Sequence, residues 1–158
     1  MSLQITTPDD ITVVLSRSFK APRRIVWEAL TTPDKMRRWM LPPPGMTLTT
    51  CEVDARLGGA LSLAWKTADA DPVMTLTGKW TEWSPHDRMA HTETMKTASG
   101  DIVLELLEVH ELADKEGGTQ MRVTQTYKSK EDRDNALASG MNEGMEACYQ
   151  QLDTVVAQ

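Results

Sequence analysis

Turn-forming residues divide the chain from Met46 onward into short stretches of strand-like sequence. The separators are clusters of Gly, Pro, Asp and Ser, which tolerate tight turns. They are Gly58 with Gly59, residues 69–72, residues 85–87, Ser99 with Gly100, and residues 116–118. They leave predicted strands at residues 47–54, 60–67, 73–83, 88–97, 101–112 and 119–128. Connections this short join only neighbouring antiparallel strands, because parallel strands need crossovers of about a dozen residues. The sequence therefore predicts an antiparallel meander.

One more strand and two short helices precede the meander. Residues 11–20 alternate with the period of a strand, which brings the predicted sheet to about seven strands. Pro22 suits the first turn of a helix, and Thr32 with Pro33 suits the start of a second helix that ends near Met40. Three consecutive prolines then predict a surface loop over residues 41–45.

A long carboxy-terminal helix is predicted over residues 131–157. Its apolar residues fall at helical spacing and form one stripe: Leu137, Met141, Met145, Cys148, Leu152 and Val155. Gly140 and Gly144 lie beside this stripe, where each costs about 1 kcal/mol relative to Ala. We interpret them as marking a helix that something approaches closely, or one whose Met-rich contact surface adapts. An α+β fold follows, with this helix covering the sheet.

The strand pattern also predicts which side chains face the helix. Three strands present mostly apolar inward faces: Leu61, Leu63 and Trp65; Met74, Leu76, Gly78 and Trp80; and Met121, Val123, Gln125 and Tyr127. The strand at 88–97 differs, because His91 and Glu93 share a face with its methionines. Buried ionisable groups must be paired, hydrated or set in a cavity. The alternative is an edge position that lets them reach solvent. The strand at 101–112 has apolar residues on both faces, so its orientation stays open.

Composition excludes several classes of protein. A chain of 158 residues suffices for one domain, which we expect to span 1–158. The net charge of −6, with no basic cluster, argues against nucleic-acid binding. No apolar run approaches the roughly 18 residues of a membrane span, and the amino terminus lacks a signal-peptide pattern, so we expect a cytoplasmic protein. Cys51 and Cys148 are predicted to be reduced, partly buried thiols.

Four segments carry a resemblance to a known family. They are APRRIVWEALTTPDKMRRW, CEVDARLGG, GKWTEWSPHDRMAHT and SGMNEGMEACYQQLDTV. They resemble the signatures of the START-like helix-grip (SRPBCC) superfamily and, within it, the branch named for homologues of the activator of heat-shock protein 90 ATPase. This resemblance covers residues 11–155. It implies a helix-grip fold, in which a curved antiparallel sheet wraps around a long carboxy-terminal helix and encloses a cavity that often holds an apolar molecule.

The first predicted function is the binding of a hydrophobic or aromatic small molecule between the sheet and the last helix. Apolar residues would line the site, and four polar groups would orient the ligand. The candidate ligand-binding residues are Trp39, Leu63, Trp65, Leu76, Trp80, His91, Glu93, Gln125, Tyr127, Met141, Met145 and Cys148. The alternative for the Trp and Met residues is an ordinary packed core.

Enzymatic activity is a second hypothesis, because some members of the superfamily cyclise, hydrate or hydrolyse their ligands. His91 and Glu93 are the candidate acid–base pair, and no nucleophile or phosphate-loop motif accompanies them. No cofactor is predicted. No metal site is predicted either, because a third ligand to join this pair is not visible. His86 and His110 are expected to be surface residues near strand ends.

Protein partners form a third hypothesis, which the name of the branch suggests. The chaperone activators behind that name carry an additional amino-terminal domain, which a chain of this length is too short to include. A chaperone partner therefore has less support than a small-molecule ligand. A homodimer formed through a sheet edge or the proline loop stays open.

Overall fold

The computed structural model describes residues 2–42, 45–68 and 74–157. The strands are β1 (Gln4–Thr6), β2 (Thr12–Phe19), β3 (Met46–Val53), β4 (Ala60–Thr67), β5 (Met74–Ser84), β6 (Arg88–Thr97), β7 (Ile102–Lys115) and β8 (Gly118–Tyr127). The helices are α1 (Arg23–Thr31), α2 (Pro33–Trp39), α3 (Lys130–Ala138) and α4 (Met141–Val156). The predicted turn at 69–72, the first residue of the strand predicted at 73–83, and two prolines of the predicted loop, Pro43 and Pro44, lie outside the described residues.

The strands form one antiparallel sheet in the order β1-β2-β8-β7-β6-β5-β4-β3. Strands β3 to β8 pair in sequence as the meander predicted from the turns. β2 then joins the sheet next to β8, the last strand of the chain. The described sheet has eight strands rather than about seven, because β1 adds a three-residue edge strand. A segment this short shows no alternation from which sequence could predict it.

The helices pack against one face of this sheet. Inward residues of the strands, including Leu15, Leu63 and Val123, form one core with residues of α1, α2 and α4. Thr32 and Pro33 begin α2 as predicted, although the Thr32 side chain makes no capping hydrogen bond. This is the helix-grip arrangement that the resemblance implied. No helix in the described ranges is long and apolar enough to cross a membrane.

The predicted long carboxy-terminal helix is two helices. Ser129 caps α3 by accepting a hydrogen bond from the backbone N–H of Asp132 at 3.1 Å. Gly140 interrupts the helical stretch. Its φ of +83° is a left-handed backbone conformation that residues other than glycine rarely adopt. The expectation of a close approach at Gly144 is wrong for the described residues: a Cβ atom built there meets nothing within 4 Å. Gly144 faces open space on α4.

These two glycines predict opposite effects of alanine. Gly144→Ala should raise the free energy of unfolding by roughly 0.5–1 kcal/mol, because it adds helix propensity without a clash. Gly140→Ala should lower it by about 1 kcal/mol, because alanine is strained at positive φ. Urea unfolding of both variants measures the difference. A loss of stability in Gly144→Ala would contradict the open environment seen here.

An ion pair between a buried arginine and a half-exposed aspartate fastens α4 to the sheet. The Arg17 side chain on β2 is 1% exposed, and its Nη1 and Nη2 atoms donate to Asp153 Oδ1 at 2.7 Å and Oδ2 at 2.8 Å. Glu146, on the same helix as Asp153, places its Oε1 atom 3.6 Å from Arg17 Nη2. Its Oε2 atom accepts a hydrogen bond from the backbone N–H of Leu3 at 2.8 Å. Since Asp153 and Glu146 are both on α4, this one arginine fixes the helix over the first strands of the sheet.

Candidate functional site

A row of large or polar side chains crosses four adjacent strands at the centre of the sheet. Trp80 on β5 pairs with His91 on β6, His91 with Glu108 on β7, and Glu108 with Gln125 on β8. Directly paired residues point to the same side of a sheet. Trp80, His91, Glu108 and Gln125 are all buried, so the row lies on the inward face.

A bulge in β5 adds a second tryptophan to this face. The register with β6 shifts between Trp80 and Glu82, so one extra residue is accommodated in β5. Trp83 consequently faces inward opposite Met89. Its ring lies edge-on to the Trp80 ring, with 5.0 Å between the ring centroids. Trp80 in turn lies edge-on to the His91 ring at 5.1 Å. The bulge thus places an aromatic wall beside the polar row.

His91 is held between two glutamates. Its Nε2 atom lies 3.3 Å from Glu93 Oε1 and 3.4 Å from Glu108 Oε2. The three side chains are only 6%, 12% and 9% exposed, respectively. Three ionisable groups thus share one small volume that solvent barely reaches. We call His91, Glu93 and Glu108 the buried triad.

Burial and mutual contact shift the pKa values of the three triad residues away from their usual ranges. Burial lowers the pKa of His91, but hydrogen bonds to Glu108 and Glu93 outweigh it and raise this pKa to about 9. Burial and the adjacent Glu108 charge hold the pKa of Glu93 above its usual range. Burial also disfavours ionised Glu108, yet its contact with His91 keeps the pKa of that carboxyl below its usual range. At neutral pH the arrangement therefore favours a charged His91–Glu108 pair beside a Glu93 that is only partly ionised.

His110 extends the triad along β7. Its side chain is 12% exposed, its Nε2 atom lies 3.9 Å from Glu108 Oε1, and its ring stacks on His91 at 6.1 Å. Burial lowers the pKa of His110 to about 4, so its ring is neutral at physiological pH. Among the residues described, Trp80 Nε1, His91 Nδ1 and His110 Nδ1 have no hydrogen-bond partner. Buried donors or acceptors of this kind are normally satisfied. Unused hydrogen-bonding capacity is therefore concentrated here.

A cavity of about 190 Å³ lies between this part of the sheet and helices α2 and α4. The sheet supplies mainly apolar residues around the polar row, and the helices supply Met, Trp and Cys side chains. The lining residues are Leu30, Met36, Trp39, Met40, Leu61, Leu63, Leu76, Trp80, Met89, His91, Glu93, Glu108, His110, Gln125, Met141, Met145, Cys148 and Tyr149. The cavity is therefore apolar along most of its wall and polar at the triad.

Ten of the candidate residues named from the sequence line this cavity: Trp39, Leu63, Leu76, Trp80, His91, Glu93, Gln125, Met141, Met145 and Cys148. Trp65 and Tyr127 do not. Trp65 is buried in the core beside Leu48 and Met74, nearer the end of β4. Tyr127 is 2% exposed, and its hydroxyl donates to Gln125 Oε1 at 3.0 Å. Tyr127 thus orients a cavity residue without reaching the cavity.

The sequence interpretation missed Glu108 and misplaced His110, which is buried rather than at the surface. The predicted strand has apolar residues on both faces, so the sequence pattern does not show which face is inward. The structure buries Leu106 and Leu112 and exposes Ile102 and Leu107. Counting outward from Ser99 and Gly100 as a two-residue turn would place Glu108 opposite His91, which is the observed pairing. This agreement depends on an irregularity that the sequence does not reveal, because Lys96 pairs with Ile102 and the register shifts between Met95 and Lys96.

Comparisons with known proteins agree with this architecture. Residues 20–157 match the family described as "Activator of Hsp90 ATPase homolog 1-like protein". A crystal structure of a Rhodobacter sphaeroides protein is similar at 29% identity, covering 98% of this chain and 97% of that one, with a TM-score of 0.85. No curated protein matches.

Two more distant structures support the fold alone. A Mycobacterium smegmatis protein has 19% identity and a TM-score of 0.83, covering 99% of this chain and 98% of that one. A Nitrosomonas europaea protein has 21% identity and a TM-score of 0.79, covering 97% and 99%, respectively. Sequences this divergent keep the same arrangement of sheet and helices over nearly their whole length.

Proposed function

Because this chain belongs to the family of Activator of Hsp90 ATPase homolog 1-like proteins, an SRPBCC branch whose fold commonly binds ligands, we propose that it binds a small, mainly apolar molecule. The observation that carries the proposal is the cavity of about 190 Å³, with its apolar wall and its polar end at the triad. Ligand sites in proteins combine these two features, since the apolar area supplies affinity and a few polar groups fix orientation.

The size of the cavity restricts the ligand. Its volume lies below the roughly 300 Å³ at which typical drug-sized sites begin. An apolar cavity of about 150 Å³ holds one benzene ring, so we propose a one- or two-ring aromatic compound or an aliphatic of similar size. Burying roughly 200 Å² of such a compound stabilises the complex by about 5 kcal/mol before the costs of association. A free energy of this size corresponds to a dissociation constant in the high micromolar range, which is therefore the tightest affinity that apolar burial alone supports.

The chemistry of the lining further narrows the ligand. Three buried polar atoms without partners belong to residues that line this cavity, namely Trp80, His91 and His110. A ligand with one hydroxyl, carbonyl or carboxylate group satisfies such atoms, whereas a pure hydrocarbon leaves them unpaired. Met141 and Met145 on α4 are flexible, so we expect tolerance of different apolar shapes.

Tryptophan fluorescence tests this proposal. Naphthol, indole and benzoate should each change the emission saturably at 1:1 stoichiometry, because Trp39 and Trp80 line the cavity. Met145→Phe narrows the cavity and should weaken binding about tenfold, whereas Gly144→Ala on the same turn of α4 should leave it unchanged. Absence of saturable binding by any of the three compounds, or equal binding by both variants, would contradict the proposed site.

A further inference from the structure

The buried triad has the donor types and spacing of a metal site. An imidazole nitrogen and carboxylate oxygens are ligands that zinc, cobalt and manganese accept. One ligand atom from each of His91, Glu93 and Glu108 lies within 4.8 Å of the other two. We propose that these three residues bind one divalent transition-metal ion of the zinc type. This inference does not depend on the organic ligand proposed above.

Distances between the donor atoms support this assignment. A tetrahedral ion with bonds of about 2.1 Å separates its ligand atoms by about 3.4 Å. The observed separations from His91 Nε2 are 3.3 Å to Glu93 Oε1 and 3.4 Å to Glu108 Oε2. These are also hydrogen-bond distances, so the metal-free protein can hold the same side chains in place through a proton. Little movement is then needed to admit an ion.

Charge is the second argument. Glu93 and Glu108 are almost fully buried, and the rest of the cavity wall is largely apolar. Two neighbouring carboxylates out of contact with water repel each other strongly. One divalent cation balances both charges, whereas a single imidazolium balances one. A bound divalent ion would therefore take the place of the protons that balance the two carboxylates in the metal-free triad, at His91 Nε2 and between the glutamates.

The surroundings of the triad resemble those of an open site rather than a closed structural one. Three protein ligands leave one position of a tetrahedral zinc ion vacant. All three residues line the cavity, so this position would face the space proposed for the organic ligand. His110 lies 3.9 Å from the second oxygen of Glu108 and would orient that ligand from behind. An oxygen atom of a cavity ligand, or water, would complete the coordination.

Cobalt titration of the full chain after chelator treatment tests the inference. We expect visible absorption bands that saturate at one Co²⁺ per chain, without the intense band of a cobalt–thiolate bond, and competition by Zn²⁺. Glu93→Gln and Glu108→Gln should each weaken binding at least 30-fold, because each removes one charged ligand. Glu105→Gln is the matched control on β7, since Glu105 pairs with Lys128 outside the triad.

Two other variants exclude binding elsewhere. Cys148→Ser removes the thiol that lines the cavity, and His86→Ala removes a histidine outside it; both should bind Co²⁺ as the native chain does. If the glutamine variants do not fold, Mn²⁺ should still broaden the ring signals of His91 before those of His86 in the native protein.

The inference is overturned if the folded native chain shows no saturable binding, or if Cys148→Ser or His86→Ala abolishes it. It is equally overturned if both folded glutamine variants bind normally, or if Mn²⁺ broadens His86 first. Repeating the naphthol titration with chelator present separates the two proposals, since failure of the metal site leaves apolar binding intact.

Discussion

Replacing Trp80 with alanine is expected to lower the free energy of unfolding by about 4 kcal/mol, and added indole should restore part of that loss. Trp80 is 3% exposed and packs edge-on against both Trp83 and His91, so truncation removes a large buried contact. The space left by its ring is continuous with the cavity. Indole at tenfold its dissociation constant should then recover about 1.4 kcal/mol.

Trp65→Ala is the matched control for this rescue. Trp65 is 8% exposed and buried in the same core, but it does not line the cavity. Its truncation should cost a similar amount of stability, and indole should stabilise this variant only as much as it stabilises the native chain, through the unaltered cavity. Denaturant unfolding of both variants and of the native chain, with and without the same concentration of indole, measures the contrast. A gain in Trp80→Ala no larger than the gain in Trp65→Ala would show that the space left by the Trp80 ring does not accept indole.

Asp153→Ala is expected to cost about 3 kcal/mol of stability, because it removes both hydrogen bonds that the buried Arg17 guanidinium donates to this carboxylate. This value is at the lower end for a broken buried pair, since Asp153 is 42% exposed and its removal admits water. Arg17→Met should cost less, because the carboxylates that it leaves behind reach solvent and the apolar volume is partly kept.

The control for this second prediction is Asp134→Ala on α3. Asp134 also pairs with an arginine, Arg133, and its side chain is about as exposed as that of Asp153, at 45%, but this pair lies within one helix and does not join a helix to the sheet. We expect a loss below about 1 kcal/mol. Thermal unfolding of the three variants provides the comparison. A larger loss in Arg17→Met than in Asp153→Ala would contradict this account, in which the cost arises because the buried Arg17 charge is less well compensated.

The order of the elements could be predicted because local chemistry determines it. Paired glycines and proline-containing turns end a strand through the conformations of a few neighbouring residues. Pro33 likewise begins α2 for a local steric reason. The break at Gly140 is local as well, yet the apolar stripe continues across it from Leu137 to Met141. Periodicity alone therefore joined α3 and α4 into one helix. The positive φ of Gly140 was the feature that the pattern did not contain.

The site was predictable only in part, because it depends on pairing across strands. Alternation placed Trp80 and Gln125 on inward faces and His91 on the face of its strand's methionines, and the structure aligns the three in one row. Glu108 completes that row, and its strand has no one-sided pattern. The cavity volume is set by side-chain packing between α4 and the sheet, which spacing in the sequence does not report. The face on which most of these residues lie thus follows from the sequence pattern. Which charged side chains lie opposite one another depends on the register between strands, which the pattern does not give.

The pairing of β2 with β8 has a consequence for synthesis on the ribosome. β2 emerges early, but its long partner ends at Tyr127, so the two halves of this ladder are separated by most of the chain. Contacts of such sequence separation form late and slow folding. Until β8 and α4 have been made, the apolar residues of β2, Val13 and Leu15 among them, lack the partners that bury them in the finished protein. The nascent chain therefore exposes an aggregation-prone strand while β3 to β7 are being made, and this is the interval in which chaperones that bind extended apolar segments can engage it.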